Sequence, residues 1–94
     1  MEQLPSIELL EAAHRFPGPY MFKAIGRSEN GFVARAVAAA RQGIAADFDP
    51  PFSVRGTPGG RHVAVTLEPV VRTPQEVLAV YRRLLKLSGL VLLF

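Results

Sequence analysis

Two histidines, His14 and His62, are the side chains of this sequence whose ordinary pKa lies nearest neutrality. His62 sits in a run of alternating apolar and polar residues, with no second donor at metal-ligand spacing. Metal centres need three or four converging donors, so it reads as a strand histidine at the surface, and neither a metal nor another cofactor is expected. Asp47 and Asp49 offer two close carboxylates, the start of an acid pair or a calcium loop. A calcium loop needs further oxygens at fixed offsets, and Pro50-Pro51 makes the segment a turn opened by aspartates. Gly56-Thr57-Pro58-Gly59-Gly60 is glycine-rich and flanked by Arg55 and Arg61. It joins two strands instead of opening a helix, so the helix dipole of a phosphate site is missing, and a small basic rim is what remains. Gly26-Arg27-Ser28-Glu29-Asn30-Gly31 does run from a strand into a helix. There Arg27 can meet an anion, while Ser28 or Asn30 is expected to cap the helix.

Composition narrows the classes further. The 94 residues hold no cysteine, which removes disulfides, thiolate chemistry and cysteine-bound clusters and points to a cytosolic domain. With 49% apolar and 20% charged residues, the length suits one domain, 1–94, with its own core. The net charge is only +3, and the pI near 10.0 follows from nine of eleven cations being arginine. So small a surplus favours acidic partners without defining a nucleic-acid binder. Met1 to Phe16 carries Glu2, Glu8 and Glu11 and no basic stretch, so a secretory leader is not expected. The longest apolar run, Leu90 to Phe94, has strand length, far below the ~20 residues of a membrane span, and no membrane partner is expected.

The elements that must position these groups are legible from periodicity. Ser6 opens a short amphipathic helix within an extension over 1–16, and Phe16-Pro17-Gly18-Pro19 is a rigid break. A core over 20–94 follows. Tyr20 to Ile25 alternates as a strand, with Met21, Lys23 and Ile25 on one face and Gly26 ending it. A helix rich in alanine runs to about Ala45. Phe52 to Arg55 and Arg61 to about Val70 form a hairpin, with His62, Ala64, Thr66 and Glu68 on one face of the longer strand. Thr73-Pro74-Gln75-Glu76 is a capping box opening a second long helix, which Gly89 stops, and Leu90 to Phe94 is a last strand. The order β-α-β-β-α-β predicts an α+β ferredoxin-like sandwich, its four-stranded antiparallel sheet covered by two helices on one side and open on the other.

Two activities found on this topology are weighed by their residues. An acylphosphatase-like hydrolase would be built on Arg27, but the chain offers no partner asparagine and lacks that family's glutamine-glycine loop pattern. RNA-recognition modules stack bases on aromatics of the open face, and here that face carries none, while Glu68 would repel phosphate. Nucleic acid is therefore an unlikely partner.

From about Leu9 to Phe94 the chain resembles the YbeD-like family, bacterial domains of unknown function with an ACT-like ferredoxin fold. The resemblance rests on Phe16-Pro17-x-Pro19-Tyr20 leading to Phe22-Lys23-x-Ile25-Gly26, then Asp47-Phe48 with Pro50, the glycine hairpin, Val63-x-Val65-Thr66-Leu67, and Val77, Tyr81 and Leu84 on the capped helix. The hairpin Thr57 to His62 departs from the family pattern, lacking its turn lysine and aromatic; Lys23 and Gly26 match. The resemblance implies a non-enzymatic regulatory module that binds small effectors or pairs through its sheet. Lys23, Arg27, Arg55, Arg61 and His62 are the expected contacts to a small anionic ligand or a protein partner. Met21, Ile25, Ala64 and Glu68 are the expected homodimer face. Replacing Thr73 with alanine removes the hydroxyl that accepts the helix's third amide, and a thermal melt should record a loss of ~1 kcal/mol.

Overall fold

The computed structural model describes residues 4–94, and residues 1–3, Glu2 among them, lie outside that range. Helix α1 (Ile7–Ala13) begins where Ser6 Oγ accepts the Leu9 amide at 3.1 Å, and Leu10 carries it into the core. The expected first strand shifts along the chain: β2 spans Phe22–Arg27, with Gly26 inside it. Tyr20 instead follows a two-residue strand, β1 (Gly18–Pro19), which pairs antiparallel with β5 (Val70–Val71). The proline-rich break therefore forms a second small sheet. Tyr20 N donates to Pro69 O, so the proline that cannot donate serves as an acceptor at the join.

Strand β3 (Phe52–Gly56) and strand β4 (His62–Leu67) form the expected hairpin, but β4 ends before Glu68-Pro69 instead of reaching Val70. With β6 (Leu90–Leu93) they build a four-stranded sheet in the order β3-β4-β2-β6, antiparallel at every pairing. Phe22 and Ala24 of β2, Val65 and Leu67 of β4 and Leu93 of β6 point into one core with residues of α2 (Phe32–Gly43) and α3 (Pro74–Leu85). The alternation read from the sequence thus holds across the central strands.

Helix α2 is not capped by Ser28 or Asn30. Its N-cap is Gly31, at φ 67 with no side-chain bond, and Asn30 before it is also left-handed at φ 55. In that turn the side chains are not placed to accept the first amides. Helix α3 does carry its hydroxyl cap, Thr73 Oγ1 accepting Glu76 N at 3.3 Å. The Glu76 carboxylate reaches one residue further back than a capping box would, accepting Arg72 N at 2.7 Å and the Arg72 guanidinium at 2.5 and 2.8 Å. Burial alone would raise the Glu76 carboxyl, but these hydrogen bonds and the adjacent charge outweigh it and hold the group below its ordinary range.

Two glycines set how closely the layers approach. A Cβ on Gly26 would overlap the Phe32 ring, and a Cβ on Gly43 would lie 2.7 Å from Val80 Cγ2 on α3. The first fixes α2 on the sheet and the second fixes the α2–α3 crossing. Near them, Phe22 and Tyr81 stack edge to face at 4.9 Å, and the Tyr20 and Tyr81 hydroxyls are 3.2 Å apart. Burial, and then the hydrogen bond to Tyr20, push the Tyr81 phenol well above its ordinary value.

Gly26→Ala should lower stability by about 1–3 kcal/mol, since the ring or the helix must move to admit the methyl; chemical denaturation with an unchanged midpoint would refute the contact. The Tyr81 shift has its own signature. Its stabilising contribution is complete below the ordinary phenol pKa of about 10 and declines as pH rises above that value, because the unfolded chain ionises first. Melting temperature should therefore fall more steeply in alkali for the native chain than for Tyr81→Phe.

Candidate functional site

All three helices lie on one side of the four-stranded sheet: α2 and α3 share its core, and α1 packs on α3. Among the described residues, no element covers the other side. The strand registers map that bare face. Lys23 of β2 stands beside Thr66 of β4 and, beyond it, Ser53 of β3; Ile25 stands beside Ala64 and Arg55; Arg27 stands beside His62. Lys23 and Arg55 are therefore two strand spacings apart and offset by two residues along the strands, about 12 Å, within the joint reach of two long side chains.

They meet over a shallow depression lined by Lys23, Ser53, Arg55, Ala64 and Thr66 with Val54. The exposed cations Lys23 and Arg55 form no side-chain hydrogen bond or ion pair with the described residues. Two cations and two hydroxyls around a floor of small residues can hold a small oxyanion through charge-assisted hydrogen bonds. Among the described residues, no carboxylate lines the depression.

Arg27, Arg61 and His62 gather separately, with Ser28 and Glu29, at the end of the sheet where Ser28 N donates to Arg61 O at 3.0 Å. The His62 amide is held by Thr57 Oγ1 at 3.3 Å, which ties the hairpin to this corner. Glu29 brings a negative charge among these cations, so the corner is less suited to an anion than the depression beside it. Arg27 is thus placed with the β4 hairpin, on the face away from α2. Among the described residues, no group of three or more histidine, aspartate or glutamate side chains is placed to hold a metal ion.

The expected self-association residues are less uniform. Ile25 is half-buried and Met21 is 59% exposed just before β2, but Ala64 is only 9% exposed and offers little apolar surface. Glu68 follows β4 and extends the ladder by donating its amide to Pro51 O. Sequence reasoning missed Ser53, whose position opposite Thr66 follows only from the hairpin register. It also missed Leu92 and Phe94, 51% and 60% exposed, which lie beside Ile25 and Lys23 at the sheet edge. In sequence they lie in a run that is apolar at every position, so no alternation of polar and apolar residues separates them from buried Leu93.

These features define a small α+β domain of three helices and antiparallel sheets, with one bare sheet face that concentrates cations and hydroxyls. Over residues 11–93 the chain matches the family described as Protein of unknown function (DUF493), and it belongs to that family. No curated protein matches it. Among the described residues, no helix is long and apolar enough to cross a membrane.

Proposed function

We propose that this chain is a non-enzymatic binding module of regulatory type, taking a small phosphate- or carboxylate-bearing ligand on its open sheet face. The observation that carries the reading is the grouping of Lys23 and Arg55, without side-chain partners among the described residues, around one depression with Ser53 and Thr66. The depression presents cations and neutral hydroxyls, suited to holding an anion, and among the described residues its lining includes no histidine or carboxylate that would move a proton. The β-α-β-β-α-β order and the β3-β4-β2-β6 sheet support a ferredoxin-like, ACT-like assignment, and the YbeD-like resemblance fits the family match over residues 11–93.

A protein partner, including a second copy of this chain, has its own supporting observation. Exposed Leu92 and Phe94, with half-buried Ile25, form an apolar margin beside the depression. A bound anion would neutralise Lys23 next to that margin, lowering the cost of burying the face against another surface. Ligand binding and pairing on one face would thereby be coupled, which is what makes the module regulatory.

Amide chemical shifts followed by NMR during titration with inorganic phosphate, and separately with acetate, distinguish the two ligand chemistries. Saturable shifts should centre on Lys23, Ser53, Arg55 and Thr66 and disappear in the Lys23→Gln/Arg55→Gln variant. If neither anion gives a saturable shift at these four positions, the reading fails.

A further inference from the structure

The helix layer carries a second basic surface, unrelated to the sheet. A groove between α2 and α3 is lined by Arg35, Arg82, Arg83 and Lys86 over a floor that includes Ala38 and Ala79. Among the described residues, no carboxylate lines it. Those four cations exceed the net charge of +3, so the remainder of the chain is net negative and the surplus of the molecule resides here.

Helix electrostatics accounts for only part of this. Arg82 and Arg83 occupy the last turn of α3, where cations complement the helix dipole. Arg35 stands near the start of α2, where a cation opposes it. It is nevertheless held in place: Nε donates to Asn30 O and Nη1 to Ser88 O, both at 2.9 Å, and the guanidinium lies 5.7 Å from the Phe32 ring centroid. Arg83 is steadied by Gln42 Oε1 at 3.2 Å. Arg82 in the last turn of α3 and Lys86 at its C-cap have no side-chain partner among the described residues. The groove thus has two pre-positioned guanidiniums and two free cations flanking a strip of small apolar side chains.

We propose that this groove docks an acidic amphipathic segment of a partner protein. The alanine floor admits close approach of another backbone and accepts small apolar side chains, while the cations flank it at the spacing of successive helical turns. A nucleic-acid strand fits less well, because no aromatic side chain lines the groove for bases to stack on and the apolar floor would meet no apolar partner. A single small anion would leave most of the cations unmatched. The docking does not depend on the open sheet face, and its test is independent of that reading.

The probe is a fluorescein-labelled helical peptide of about 16 residues, roughly four turns, with leucine and alanine on one face and glutamate on the other. Fluorescence anisotropy at low salt should show saturable binding, weakened about tenfold or more in Arg82→Gln/Lys86→Gln and unchanged in Lys23→Gln/Arg55→Gln. Both pairs are exposed, and matching thermal melts would show that the variants fold. Equal binding of a scrambled peptide of the same composition would reduce the effect to bulk charge and overturn the proposal. So would equal loss in the sheet-face variant, tighter binding of a single-stranded RNA of the same charge, or no binding of the helical peptide.

Discussion

The position of α2 on the sheet rests on the Phe32 ring lying where the side chain of residue 26 would otherwise be. Phe32 is the first residue of α2 and nearly fully buried, and the missing Cβ of Gly26 is the space its ring occupies. That contact fixes the height of the helix above β2. Gly43 at the other end of α2 then sets the approach of α3 through Val80, so the whole helix layer is referred to one strand. With both helices drawn to that side, the opposite face of the sheet has no cover among the described residues. The bare face and the groove between the helices are two consequences of the same packing.

Local chemistry explains why much of this was legible beforehand. Ser6 and Thr73 cap their helices as their positions require, because a hydroxyl before a helix satisfies amides within the same turn. Alternation in β2 and β4 separated Phe22 and Ala24 from Lys23, and Val63 and Val65 from His62 and Thr66, since a sheet buried on one side imposes a period of two. Failures occurred where a distant segment decides. Gly26 looked like a strand terminator, but it is kept inside β2 by a ring from α2. Gly18–Pro19 looked like a simple break because its partner, Val70–Val71, lies far along the chain. Ser28 and Asn30 had the right chemistry for a cap and the wrong backbone, which the left-handed Asn30-Gly31 turn settles.

The same division holds for the functional surfaces. Each cation on the open face was readable singly, yet Lys23 and Arg55 become one site only through the registers of β2 with β4 and β4 with β3. The groove was invisible for a stronger reason: nothing in the sequence joins Arg82, Arg83 and Lys86 to Arg35, which only the packing of α2 places across from them. A flat sheet face with two cations can give a small ligand few contacts, and each exposed charge contributes little on its own. Useful affinity there calls for further burial, and the exposed Leu92 and Phe94 beside the depression are where a covering surface would supply it.

Charge placement matters more here than net charge. The molecule measures 39 × 29 × 20 Å along its principal axes, and its two basic surfaces lie on opposite sides of a sheet-plus-helix sandwich. The sheet and the helix layer lie between the two surfaces of a molecule no thinner than 20 Å, while the Debye length at physiological salt is about 8 Å. An anion on the sheet face is therefore largely screened from the cations of the groove, and filling one surface leaves the attraction of the other nearly intact. Several acidic residues are engaged or placed elsewhere: Glu8 and Glu11 sit on α1, Asp49 is taken by Arg41 at 2.5 Å, and Glu76 is taken by Arg72, while Glu68 remains on the open face two residues beyond Thr66. A pI near 10.0 describes neither surface. On the two proposals made above, one small domain would hold a ligand on its sheet and an acidic partner on its helices together.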